Sequence, residues 1–235
     1  MTDQLNAQLV LLPGLGADSR LLGPQIEAFP TARALDWIEN QRGDTLPSYA
    51  RRMAEKLNEE LAKSGDGPEN GRPLVLAGVS YGGMVSLEMA PHCGAAAVVL
   101  IASCRSGRAI PTRLKFVQRL SQLVPVSIMG VGAILGPLLA NEFGVFEPDQ
   151  RRLFNEMFAD SDPKFAKWAA SSIMSWKPTE EPTVPVFHIH GDLDRLIPID
   201  RVSPDHVIHD AGHLINVTHG DEVNRFIADA IASVQ

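Results

Sequence analysis

The chain has 235 residues, 45% of them apolar and 21% charged, with a net charge of −7. This size and balance suit one globular domain, with or without an insertion. The acidic excess argues against unspecific nucleic-acid binding, which needs a basic surface to displace counterions. The two cysteines, Cys93 and Cys104, lie next to apolar runs and offer no disulfide framework, so a reducing, cytoplasmic setting is expected. The polar start, "MTDQLNAQ", lacks the charged and apolar regions of a secretory signal.

Gln8 to Leu12 is expected to form a short buried strand, broken by Pro13 and Gly14. "ARALDWI" is a second, weaker strand candidate. In "TLPSYARRMAEKLNEELAK", Leu46, Ala50, Met53, Leu57 and Leu61 recur at helical spacing, and Pro47 suits a first turn. "RPLVLAGV" predicts a third strand, "GGMVSLEMAPH" a helix, and the all-apolar "AAAVVLIAS" a fourth strand covered on both faces. The alternation then stops. From about Arg105 to Thr183 the patterns are helical, including "PDQRRLFNEMFADSDPKFAKWAASSIMSW", interrupted near Asp162-Pro163. "PVFHIHGD" and "DHVIHDAGH" predict strands five and six, and "EVNRFIADAIASV" a closing amphipathic helix. Strands alternating with helices imply a parallel sheet flanked by helices. The helical stretch enters after one strand and leaves before the next, so it is expected to roof the carboxyl ends of the strands, where open parallel sheets bind ligands.

One segment of the insertion, Leu120 to Asn141, has no charged residue. Its length matches a bilayer span. Pro125, Pro137 and three glycines favour instead a pair of buried or pocket-lining helices, so membrane contact is not expected. Leu123, Val126, Ile128, Met129, Ile134, Leu135 and Leu138 suggest a hydrophobic acyl or alcohol pocket, or else simply pack the insertion on the core. For Trp168 and Trp176, core packing is the default reading.

"LVLAGVSYGGMVSLEMA" contains Gly78-Val79-Ser80-Tyr81-Gly82, a G-x-S-x-G pattern between a strand and a helix. In that context the serine sits on a strained turn, and glycines flank it because side chains would clash with the neighbouring strand and helix. Its hydroxyl stands at a helix N-terminus, which favours developing negative charge. A serine nucleophile needs a base, and the base a carboxylate to orient it. Of the seven histidines, His213 in "DAGHLIN" falls in a loop after the last strand, at the same end of the sheet as Ser80. His92 suits a helix C-terminus, His188 and His190 strand packing, His206 and His209 the last strand and its flank, and His219 the surface. For the acid, "HGDLDRLIP" supplies Asp192 and Asp194 just past strand five. Asp194 is preferred because Asp192 is the more natural turn residue.

Together these residues resemble the α/β-hydrolase superfamily. "GVSYGG" is similar to its nucleophile elbow, "GDLDRLIP" to its acid loop and "AGHLIN" to its histidine loop, in the order Ser80, Asp194, His213. The resemblance implies an α/β-hydrolase fold, a mostly parallel sheet flanked by helices, with a core from 1–104 and 184–235 and a helical lid from 105–183. It also implies an oxyanion hole from the backbone N–H groups of Leu15 and Tyr81. Pro13 stands where the family often has histidine. "GLGADS" lacks the third glycine of a nucleotide-binding loop. The sequence has no zinc-spaced cysteine/histidine cluster and no H-E-x-x-H. The expectation is therefore an esterase acting on a small-molecule carboxylic ester through an acyl-enzyme, with no metal and no organic cofactor. Alternatives are a lyase, thioesterase or acyltransferase on the same fold, or a small-ligand receptor with a vestigial triad.

Overall fold

The computed structural model describes residues 6–66, 70–115, 147–178 and 182–235. Six strands form one sheet: β1 (Gln8–Leu12), β2 (Arg33–Ala34), β3 (Leu74–Val79), β4 (Ala97–Ile101), β5 (Val186–Gly191) and β6 (His206–Ile208). Their spatial order is β2-β1-β3-β4-β5-β6, and every neighbouring pair is parallel. Among the described residues, the α-helices with both ends described are α1 (Gly23–Ala28), α2 (Leu46–Ser64), α3 (Tyr81–Cys93), α4 (Pro148–Asp160), α5 (Pro163–Ser175), α6 (Ile215–Thr218) and α7 (Gly220–Ala232).

Every residue of β1, β3 and β4 is buried. Their continuous apolar runs reflect a sheet covered on both faces. Alternate strand residues serve two cores. Val10, Leu12, Leu74, Leu76, Val98 and Leu100 pack with α2, α3 and α5. Leu9, Leu11, Val75, Ala77, Val99 and Ile101 pack with α4 and α7. Helix α2 shows how sequence sets an element. Thr45 and Ser48 form a reciprocal capping box, Pro47 occupies the first turn, and Gly65 closes the helix in the left-handed region at φ 70°. The predicted stripe Leu46, Ala50, Met53, Leu57 and Leu61 is buried.

The second strand is shorter than "ARALDWI" suggests: only Arg33 and Ala34 pair with β1. Leu35 still donates its N–H to the Leu11 carbonyl at 2.9 Å. Beyond it the chain leaves the edge, and Trp37 packs against Tyr81 (ring centroids 5.2 Å apart) and Phe165 (5.8 Å). Burying the indole among aromatic rings takes precedence over extending an edge ladder.

The insertion is helical where it is described. Asp162 caps α5 by accepting from the Lys164 N–H, which explains the break at Asp162-Pro163. No helix among the described residues is long and apolar enough to cross a membrane. The uncharged segment 120–141, with Leu123, Val126, Ile128, Met129, Ile134, Leu135 and Leu138, lies outside the described residues.

Candidate active site

The carboxyl ends of the strands lie in register, with Leu12 beside Gly78, Val79 beside Ile101, Ile101 beside Ile189 and Gly191 beside Ile208. Ser80 stands on the turn from β3 into α3. It has φ 52° and ψ −113°, a conformation that costs a non-glycine residue about 1–3 kcal/mol. Its surroundings over-determine it. The Ser80 N–H donates to the Ile101 carbonyl at 2.9 Å. The Ser80 carbonyl accepts from Gly83 N–H at 3.0 Å and from the Ser103 hydroxyl at 2.6 Å. A Cβ on Gly78 would lie 2.2 Å from the Gly82 carbonyl carbon, and one on Gly82 would lie 2.4 Å from the Pro13 carbonyl oxygen. Both contacts are with backbone, so only glycine fits. Ser103 is a contribution the sequence pattern did not reveal: its hydroxyl, at the tip of β4, anchors the elbow.

Ser80 Oγ is 2.9 Å from His213 Nε2, and His213 Nδ1 is 2.6 Å from Asp194 Oδ2. A carboxylate only accepts, so Nδ1 carries the proton and Nε2 is left to accept from the serine hydroxyl. His213 is 1% exposed and Asp194 4%. Asp194 Oδ1 accepts from the Leu196 and Ile197 N–H groups at 2.8 and 2.9 Å. Burial acts to raise the Asp194 pKa, but the charge of His213 and hydrogen bonds from His190 and His213 outweigh it and hold the carboxyl well below its usual range. The site therefore keeps a buried, ionised carboxylate behind a histidine.

Asp192, the other candidate, turns elsewhere. Its Oδ2 meets Nδ1 of the exposed His209 at 2.9 Å, and that hydrogen bond lowers its pKa. His206 pairs with Glu222 at 2.6 Å on the surface. His92 is exposed in the last turn of α3, and His219 is half-buried beside Thr218. His188 and His190 are buried on β5, and His190 Nε2 comes within 3.2 Å of Asp194 Oδ2. Strand packing alone did not anticipate that contact. The alternation that turns both rings to the same face of β5, two residues from the acid loop, was the available signal.

The Tyr81 N–H opens α3, where the first N–H groups have no intrahelical partner and the helix dipole favours negative charge. The loop after β1 runs alongside it: a Cβ on Gly14 would stand 3.8 Å from Ser80 Cβ, and Leu15 follows. Gly14 and the Tyr81 N–H thus border the serine. The thiols do not compete as nucleophiles. Burial pushes Cys93 up to about 11 and Cys104 up to about 12. Among the described residues, no group of three or more His, Cys, Asp and Glu is arranged to hold a metal ion.

Helices α4 and α5 flank this end of the sheet. Phe154 and Met157 of α4 share a core with Leu21 and Leu214, and Arg20 forms an ion pair with Asp160 at 2.8 Å. Trp168 of α5 donates to the Asp44 carbonyl at 3.2 Å and packs on Tyr49 at 4.7 Å. Trp176 donates to Glu88 Oε1 at 2.7 Å and is 4% exposed. Both tryptophans fasten the insertion to the core.

Solved structures share this architecture. A thermophilic esterase from Thermogutta terrifontis superposes with TM-score 0.70 at 17% identity, covering 97% of this chain and 90% of that one. MenH from S. aureus gives 0.67 at 19% identity, covering 99% and 96%. The enol-lactonase from Burkholderia xenovorans LB400 gives 0.66 at 14% identity, covering 95% and 90%. At these identities the likeness concerns the fold. No curated protein matches the chain in sequence. The alpha/beta hydrolase family model, in contrast, matches residues 9–226, nearly the whole chain, and the protein belongs to that family.

Proposed function

We propose that the protein is a serine esterase that cleaves a small or medium-chain, hydrophobic carboxylic ester through an acyl-enzyme. The observation that carries this reading is the unbroken hydrogen-bond line from Ser80 Oγ through His213 to Asp194, with separations of 2.9 and 2.6 Å. Ser80 attacks the ester carbonyl while His213 takes its proton. The backbone N–H groups of Leu15 and Tyr81 receive the developing oxyanion, each contributing about 3 kcal/mol in the transition state. His213 then returns the proton to the departing alkoxide, and Asp194 stabilises the imidazolium throughout. Water, deprotonated by His213, releases the acid and regenerates Ser80.

The named relatives include an esterase and an enol-lactonase. A lactone is a cyclic ester, so the same attack serves both. The apolar composition of 120–141 supports a hydrophobic acyl or alcohol group, with the insertion from 105–183 acting as lid. The buried thiols Cys93 and Cys104 fit a reducing, cytoplasmic setting.

Hydrolysis of p-nitrophenyl esters from acetate to decanoate tests the reading, with Ser80→Ala alongside. Turnover by the parent protein and its loss in Ser80→Ala, with the fold retained, is expected. Turnover that survives Ser80→Ala, or a folded parent protein inert to the whole series, overturns it.

A further inference from the structure

Asp194 is held from two sides. His213 takes one side of Oδ2, and behind it two imidazoles lie in line on β5. His188 Nε2 is 3.1 Å from His190 Nδ1, and the rings meet edge to face. His190 Nε2 is 2.7 Å from the Ile197 carbonyl oxygen and 3.2 Å from Asp194 Oδ2. His188 is 1% exposed and His190 is fully buried. Both neighbours of His190 Nε2 are acceptors, so that nitrogen carries a proton. In a neutral ring Nδ1 then accepts, and His188 must donate to it through its own Nε2–H. The tautomer of each ring is therefore fixed by the next. Asp194 meets four partners in all: two backbone N–H groups donate to Oδ1, His213 donates to Oδ2, and His190 Nε2–H, directed at the Ile197 carbonyl, also approaches Oδ2.

We propose that His190, its tautomer fixed by His188, is a positioning residue that orients the Asp194 carboxylate and tempers its charge toward His213. The proposal rests on the esterase reading above and names a part of that site which packing on a strand does not require. The groups facing the pair are few. From the end of β4 come the Ser103 backbone, Cys104 and Arg105. Asp205, just before β6, accepts from the His188 N–H at 2.7 Å. Arg105, Arg108 and Arg201 line a cavity of about 610 Å³ that His188 also borders. Lys115 acts on Cys104. None of these hydrogen-bonds to His190 through its side chain, so its contacts with His188, the Ile197 carbonyl and Asp194 decide its role.

The consequence has a sign. A donor on Oδ2 draws off part of the carboxylate charge. Without it, Asp194 attracts the His213 proton more strongly, and the imidazolium is favoured. His190→Met removes the donor at similar volume, whereas His190→Gln keeps an N–H near the Nε2 position. In His190→Met, kcat on a p-nitrophenyl ester should fall about tenfold with KM unchanged, and the acid limb of the kcat profile should move about half a pH unit upward. His190→Gln should restore the limb. An unmoved limb in folded His190→Met, or an equal displacement in His190→Gln, overturns the proposal.

Two readouts do not depend on turnover. The ¹⁵N spectrum of the parent protein should show His190 protonated at Nε2 and bare at Nδ1; the opposite tautomer overturns the proposal even if neither variant folds. In Ser80→Ala protein, the low-field resonance of the His213 Nδ1 proton should shift on adding His190→Met and return with His190→Gln. A resonance indifferent to position 190 contradicts the positioning role. Loss of the esterase reading alone would appear as an inert parent protein with these two signatures intact.

Discussion

At the residue scale, the choice between Asp192 and Asp194 turns on what each carboxylate meets. Asp194 is buried and bonded to His213, while Asp192 faces the exposed His209. Asp194→Asn should lower kcat/KM about 10³–10⁴-fold by supporting the wrong tautomer of His213, and Asp192→Asn should change it by less than about threefold. Steady-state kinetics on one ester checks both, and the reverse order would assign the acid to Asp192. His188 gives a second prediction. Burial, then the adjoining His190 imidazole and the Arg105 charge, hold its pKa at about 3 against an ordinary 6.5. Between those values the unfolded chain binds a proton that the folded chain does not. Stability should therefore fall on acidification from pH 6.5 toward 3, by up to about 1.4 kcal/mol per pH unit from this group. Urea unfolding at a series of pH values should show a flatter slope in His188→Gln; an unchanged slope would mean that His188 does not set it. The serine and its flanking glycines were legible because the elbow is a local pattern of five consecutive residues. The contribution of Ser103 was not, since it meets the elbow across a strand pairing that no sequence window contains, and that of His190 was signalled only by the alternation of β5 beside the acid loop.

At the element scale, the elbow is a close crossing of β3, α3 and the loop after β1, and glycine makes it possible. Gly82→Ala would bring a methyl group to 2.4 Å from the Pro13 carbonyl oxygen. It should cost about 3 kcal/mol or leave no folded protein, read by thermal unfolding. A variant as stable as the parent would mean that the two segments separate freely. The insertion is tied down by contacts of a different kind, shared apolar cores together with polar ties. Trp176→Phe removes the hydrogen bond to Glu88 and should cost about 1–2 kcal/mol, measurable by urea unfolding. Strand and helix order followed from apolar runs and helical periodicity, and α2 kept its predicted stripe with Pro47 in the first turn. The second strand was overestimated because a Trp37 side chain that leaves the edge and one that extends it have the same sequence. Only the aromatic cluster decides.

At the scale of the whole molecule, six parallel strands bring the ends of β1, β3, β5 and β6 to one edge. Loops far apart in the chain can therefore share a site there. The family and fold were legible in the sequence because three short motifs occurred in one order. Substrate choice was not, because it is set by side chains whose arrangement follows no local pattern. The most direct test of the central claim is reaction with a fluorophosphonate, followed by peptide mass mapping. The expected result is one phosphonyl group per chain on Ser80, formed rapidly and slowed strongly by His213→Ala. Absence of reaction in folded protein, or modification at another residue, would contradict Ser80 as the nucleophile.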